Sequence, residues 1–483
     1  MQPCGNQCFE HERHGKCLQS LPSTFVERSF RLGWQNGALT RLRYRLACSS
    51  AQPSVKVVVA GGSVTAGPGG NGWSKFMFRE LRSDPSSRVV FPVENGTRLA
   101  SNGVGPAYLS ACWDHHFKAK GARTPDIAFL EYGVNDLPGG QNAASMEALV
   151  RKLVISDTVV VILHHFAPTF MSGASGYKGI YNATAERKHS RVARHYGVSS
   201  VSVGEAVGLS PLSMAWRFAT GDAQAQTRLA VKRRSMNTTD ALSMWHACSF
   251  FCHFQGDLIH PTKCFQEQMG RLAAHAVRQL ISTGDTACTL RSRLQRRGEP
   301  RGCAPLPKPI WGREQSRRGC GVTSLCWSNV GPPESWNLKP FRNQGYKLLD
   351  LKRTGRGVPG QGNVFKMLWE GRAPGSFVEF KLPCSSSDFR HIRVMYLTGH
   401  AIGYGYGRIE INNQLMAIQD AFRPSQGSLF SHADFAIPTV CGDRRCPTDL
   451  HLVRITVVNQ TSNRKPDPRK KFGFGVNSLM CMP

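Results

Sequence analysis

Two unlike domains are predicted: an α/β domain built on a parallel sheet, then an all-β sandwich or jelly roll. Three observations predict them. Between Val55 and Ile281, short apolar runs alternate with helix-length segments. A basic, Pro- and Gly-rich stretch then breaks the pattern. Beyond it lie short β-type runs separated by turn residues, with no convincing amphipathic helix among them.

In chain order, residues 1–53 show no sustained periodicity and hold Cys4, Cys8 and Cys17, which predicts an irregular lead-in. The α/β domain is expected over 54–288. KVVVAGG is an apolar run ending in two glycines, the signature of a buried parallel strand and its exit turn. GWSKFMFREL follows with Trp73, Phe76, Phe78 and Leu81 at helical spacing. PDIAFLEYG, DTVVVILHHFAP and YGVSSVSV read as further strands. MEALVRKLV, TAERKHSRVARHYG and FQEQMGRLAAHAVRQLI read as the helices between and after them. A linker is expected over 289–326. SFVEFKLP, HIRVMYLTG, GRIEINNQLMAI, DFAIP and LHLVRITVVNQ are the strands of the sandwich, placed over 327–483.

Composition narrows the function classes. The chain has 483 residues and a net charge of +29, a field that favours anionic partners such as nucleic acid, acidic lipid surfaces or acidic polysaccharides. No apolar stretch approaches the ~18 residues of a membrane span. No helix-turn-helix, RNA-recognition or zinc motif supports specific nucleic-acid binding. The 16 cysteines include no CxxC pair, and sequons begin at Asn95, Asn182, Asn237 and Asn459. Together these favour a secreted or luminal protein. The first residues lack the apolar core of a secretory signal. Either the N-terminus is incomplete, or the protein is cytoplasmic with free thiols. A bridge between Cys264 and Cys248 or Cys252 would pin the loop around His260, although spacing cannot decide connectivity.

Four polar clusters fall where strands of a parallel sheet should end. Ser63 follows Gly61-Gly62 on a turn between strand and helix. Asn135 lies in Gly133-Val134-Asn135-Asp136, where a side-chain amide can meet a developing oxyanion. Asn102-Gly103-Val104-Gly105-Pro106 can bring a backbone N–H close to a substrate. Asp257-Leu258-Ile259-His260 supplies a base and a carboxylate to orient it. Taken singly, each has an ordinary structural reading as a cap, turn or loop. His164 and His165, at a strand end, read as structural histidines.

Taken in order, GGSVTAG, NGVG, GVND and DLIHP resemble the four signature blocks of the SGNH hydrolases, also called GDSL esterases. The resemblance covers about 54–285. It implies a flavodoxin-like three-layer α/β/α fold with a parallel sheet of about five strands. It further implies Ser63 as nucleophile, His260 as general base and then acid, and Asp257 as the residue that orients His260. The oxyanion hole would be the Ser63 N–H, the Gly105 N–H and the Asn135 side chain. Gly105 is preferred to Gly103, while Pro106 has no N–H to give. The family's usual Gly-Asp-Ser is Gly61-Gly62-Ser63 here.

By that resemblance the chain is a serine ester hydrolase without cofactor or metal. Its expected substrate is an acylated carbohydrate or polysaccharide, an anionic one by the chain's net charge, held in part by the β domain. The alternatives are an O-acyltransferase onto glycans, or a non-catalytic polyanion- or glycan-binding protein on the same fold.

Overall fold

The computed structural model describes residues 23–33, 37–48, 52–67, 72–84, 89–92, 98–100, 103–117, 124–136, 143–165, 185–207, 260–282, 306–311, 324–329, 337–350, 367–385, 387–399, 405–422, 429–441, 444–445, 449–459 and 473–482. They fall into two compact units. The first comprises Met1–Ala100 and Thr124–Gly312, the second Ser101–Arg123 and Arg313–Pro483. In chain order the helices α1–α9 are Ser23–Ser29, Gly37–Cys48, Ser63–Ala66, Trp73–Arg82, Pro106–Phe117, Ala143–Ile155, Glu186–Tyr196, Val203–Val207 and Lys263–Ile281.

The first unit is built on β1 (Phe30–Arg31), β2 (Val57–Gly61), β3 (Arg98–Ala100), β4 (Ile127–Glu131), β5 (Val159–His164) and β6 (Ser199–Ser202), in the spatial order β1-β6-β5-β4-β2-β3. Strands β2 to β6 are parallel, and β1 runs antiparallel along β6. Every residue of β2, β4 and β5 is buried. That is why these runs are continuously apolar rather than alternating: a parallel sheet has helices on both faces. Val57, Val59, Ile127, Phe129 and Val161 share one core with Trp73 and Met77 of α4 and Met269, Leu272 and Val277 of α9. Gly270 makes this possible, since a Cβ there would lie 2.7 Å from the Trp73 carbonyl. Helices α6 and α7 pack on β5 and bury Met146, Leu149, Val150 and Val192.

The sheet order fixes where a site can form. From β2 the chain steps to β3 on one side, then returns to β4 on the other. The loops leaving the carboxyl ends of β2 and β4 therefore diverge at a switch point, where a crevice opens. Gly61 and Glu131, the last residues of those strands, sit side by side in register.

Two expectations need correction. The lead-in is not wholly irregular, since α1, β1 and α2 lie within 1–53, and β1 extends the sheet. Ala38, Leu39 and Leu42 of α2 join the core of the sheet, a spacing too short to register as a sustained period. Nor is 289–326 linker throughout. Residues 306–311 are held to the first unit, where the buried Glu147 carboxylate accepts the N–H groups of Ile310 (2.6 Å) and Trp311 (3.0 Å).

The second unit is antiparallel. Its strands β7–β19 are Leu325–Ser328, Arg342–Gln344, Tyr346–Asp350, Met367–Gly371, Phe377–Leu382, His391–Thr398, Tyr406–Ile411, Gln414–Asp420, Leu429–Ala436, Val440–Cys441, Arg444–Arg445, His451–Val457 and Phe474–Met482. One sheet has the order β15-β12-β19-β10-β9, with β7 on β19, and another β14-β13-β18-β11-β8. Along β18 buried His451, Val453, Ile455 and Val457 alternate with half-buried Leu452, Arg454 and Thr456, as expected of a sheet with one covered face. Disulfide Cys384–Cys481 lies within this unit.

Helix α5 also belongs here, although the chain reaches it between β3 and β4. Disulfide Cys112–Cys326 ties it to β7 across 214 residues of sequence. Arg393 donates to the Ala107 carbonyl at 3.1 Å, and the Phe430 N–H to the Gly103 carbonyl at 2.9 Å. The glycine block thus groups with the β unit, not with 54–288 as expected, because its anchors are distant in sequence.

Candidate active site

Ser63 opens α3 directly after Gly61-Gly62 at the end of β2. The Ala66 N–H donates to the Gly62 carbonyl (3.0 Å) and the Gly67 N–H to the Ser63 carbonyl (2.9 Å), closing a single turn. Ser63 is half-buried, and its Oγ lies 2.8 Å from His260 Nε2. His260 precedes α9, and Gln266 in the first turn of that helix sets its distance from Ser63. Gln266 Nε2 donates to the Val64 carbonyl at 2.9 Å, and its Oε1 accepts from the Trp73 N–H at 2.7 Å.

Asn135 arrives from β4. Its backbone N–H donates to the Tyr132 carbonyl at 3.1 Å, and its side chain is buried, with Oδ1 unpartnered among the described residues. The amide presses on the nucleophile turn: a Cβ added at Gly62 would overlap Asn135 Oδ1. Position 62 therefore has no room for a side chain while Asn135 keeps this place. Next in sequence, Asp136 Oδ2 is 2.7 Å from His189 Nε2, and both side chains are buried. That pair fastens the loop after β4 to α7.

Beneath the turn lies a carboxyl that the sequence analysis did not single out. Glu131 Oε2 accepts from Thr65 Oγ1 at 2.8 Å, its Oε1 accepts from the Gly133 N–H at 3.1 Å, and its carbonyl accepts from the Gly62 N–H at 3.3 Å. One residue therefore binds both the nucleophile turn and the Asn135 loop. Burial pushes its pKa from 4.5 up to about 7, against the hydrogen bond from Thr65, the bond from Gly133 and the charge of His260. A signal was present, since Glu131 is the one charged residue in the strand IAFLE. Thr65, Gln266 and His189 carried none, being ordinary helix residues until folding aims them.

Of the other predicted site residues, Asp257 lies outside the described residues. Gly105 falls in the second unit, so its part in an oxyanion hole rests on the resemblance alone. There its carbonyl accepts from the Tyr108 N–H at 3.3 Å in the first turn of α5. His164 and His165 are buried at the end of β5. The bridge expected at Cys264 concerns side chains outside the described ones. Among the described residues no group of three or more His, Cys, Asp or Glu is placed to hold a metal ion. No described helix is long and apolar enough to cross a membrane.

The sequence matches no protein-family model and no curated protein. Its fold, however, is shared with solved structures. A two-domain esterase (CEX) active on acetylated mannans, co-crystallised with mannopentaose, superposes with a TM-score of 0.53 at 14% identity, covering 95% of this chain and 98% of the other. A second structure of an esterase so described gives 0.53 at 15% identity, covering 95% and 99%. The similarity thus spans both the α/β and the antiparallel β domain.

Proposed function

We propose that the chain is a serine esterase of the SGNH type that removes O-acetyl groups from a carbohydrate polymer. The observation that carries this reading is the 2.8 Å contact between Ser63 Oγ and His260 Nε2 beside the switch point of the sheet. Counted in chain order, the parallel strands run 2-1-3-4-5, the order of flavodoxin-like folds. The reading draws further support from the fold shared with esterases active on acetylated mannans.

In this mechanism His260 Nε2 takes the Ser63 proton as Oγ attacks the acetyl carbon. The Ser63 N–H and the Asn135 amide meet the charge that develops on the carbonyl oxygen. His260 then protonates the departing sugar oxygen, which leaves Ser63 acetylated. Water, deprotonated by His260, attacks the acyl-enzyme, and acetate leaves as the proton returns to Ser63. Asp257 orients the imidazole throughout.

The β domain is assigned to holding polymer. The outward face of β8, β11, β13 and β18 carries Arg342 and Arg454, both paired with Glu379, Arg408, paired with Glu410, and Lys381, with Phe341 47% exposed beside it. Lys381 lies 3.5 Å over the Phe341 ring, and Arg454 4.0 Å over Phe377. Lys381 beside the exposed Phe341 ring, on a face with more cations than carboxylates, suits a sugar that carries acidic groups. Two disulfides and the exposed sequon residue Asn459 favour a secreted or luminal setting.

Fluorophosphonate labelling and acetate release from a panel of acetylated polysaccharides test the reading. Ser63→Ala should abolish both while the protein stays folded. Full labelling of the folded variant rejects Ser63 as nucleophile.

A further inference from the structure

Helix α7 faces the sheet edge with a stripe that is unusual for a packed helix. Glu186, Ser190 and Arg194 recur every four residues, and opposite them β5 and β6 present His164, Ser200 and Ser202. Apolar side chains would fill such a layer. Here small hydroxyls leave a cavity of about 140 Å³. Since roughly 10–15 Å³ of such space admits one water, the cavity has room for a small molecule.

Its polar groups divide into those already committed and those that are not. Arg31, at the rim, is held by both oxygens of Glu205. Ser202 Oγ donates to Glu186 Oε1 at 2.6 Å and accepts from the Glu205 N–H at 3.0 Å. His164 uses Nε2 on Ser190 at 3.3 Å, and its Nδ1 is buried without a partner among the described residues. Arg194 has no side-chain partner among the described residues, and none is found for the Ser200 hydroxyl. Guanidinium and hydroxyl are donors that recognise an oxyanion.

Electrostatics point the same way. Burial holds the His164 pKa well below 6.5, and the charges of His189, Arg31 and Arg194 lower it further. Arg194 therefore lies near enough to His164 for its charge to be felt in the cavity. Burial pushes the Glu186 carboxyl up to about 7, which withdraws part of its negative charge near neutrality, and the Glu205 carboxylate is matched by Arg31.

We infer that this cavity is a binding site for a compact oxyanion, a small carboxylate or phosphate, anchored by Arg194 and Ser200. None of Ser63, Asn135 and His260 lines it.

Calorimetric titration of the full chain with sodium acetate and with inorganic phosphate tests this. Saturable binding of at least one probe is expected, weakened about tenfold or more by Arg194→Gln and by Ser200→Ala. Tighter binding of acetate marks carboxylate chemistry, and tighter binding of phosphate marks phosphoryl chemistry. Arg191→Gln is the control for surface charge. Arg191 lies on the same helix but stacks over Trp311 at 5.3 Å, so its loss should leave affinity unchanged. Arg194 is exposed, so its substitution should leave the unfolding midpoint unaltered. No saturable binding of either probe, retained affinity in both Arg194→Gln and Ser200→Ala, or equal weakening by Arg191→Gln overturns the inference.

Discussion

Glu131 accepts a 2.8 Å hydrogen bond from Thr65, two residues after the nucleophile candidate, and neither side chain reaches solvent. A buried carboxyl of this kind has a signature in stability. Its folded pKa of about 7 lies above the ordinary 4.5, so between those values the folded state keeps a proton that the unfolded state loses. Stability therefore falls as pH rises through that window, by roughly 3 kcal/mol for a rise of this size. Glu131→Gln removes this contribution. The variant should gain stability relative to the parent as pH is raised from about 5 to about 8. Denaturant melts across that range decide it, and parallel curves for the two proteins reject the assignment.

The contact between Gly62 and Asn135 yields a second test. Asn135→Ala should lower kcat by about 10²–10³, with KM little changed, because the amide acts mainly in the transition state. Gly62→Ala should cost a similar factor by displacing the same amide. The double variant should then be little worse than either single one, since both lose one interaction. Full additivity in a kinetic double-mutant cycle would separate the two residues.

Helix α5 bears on how the chain can be cut. Ending it after Gly312 leaves Cys112 without Cys326 and removes the strands that α5 packs on. We therefore expect the shortened chain to aggregate rather than hydrolyse small esters. Non-reducing mass spectrometry of the intact protein should find Cys112–Cys326 and Cys384–Cys481. Closing a loop as long as the first contributes about 5 kcal/mol in the chain-entropy account, so Cys326→Ser should depress the unfolding midpoint visibly. A soluble, fully active shortened chain would contradict this.

On the outward face of the β domain, Phe341→Ala combined with Lys381→Gln should raise KM severalfold on an acetylated acidic polysaccharide. Kinetics on a small acetyl ester should not change, because only remote binding is removed. Added salt should narrow the gap between parent and variant, since exposed charges are screened within about 8 Å at physiological ionic strength. Equal effects on both substrates would exclude a polymer-binding role for this face.

The parallel strands, the switch to β structure and the positions of Ser63, Asn135 and His260 were legible in the sequence. Each rests on local information: continuous apolar runs for buried strands, and Gly-rich turns or polar clusters where those runs stop. What lay beyond reach depends on which distant segments meet. Residues 23–48 look irregular until α2 and β1 find the sheet. The glycine block reads as part of the first domain until Cys112 meets Cys326. Glu131 is visible as a charge in an apolar strand, but only folding buries it under Thr65 and raises its pKa. The cavity beside His164 is least legible of all, because serines on β6 and a stripe on α7 are individually unremarkable. Sequence thus determined the elements and where their chemistry-bearing ends fall. Tertiary structure decided burial and pairing, and these govern proton affinity, close packing and the shape of a cavity.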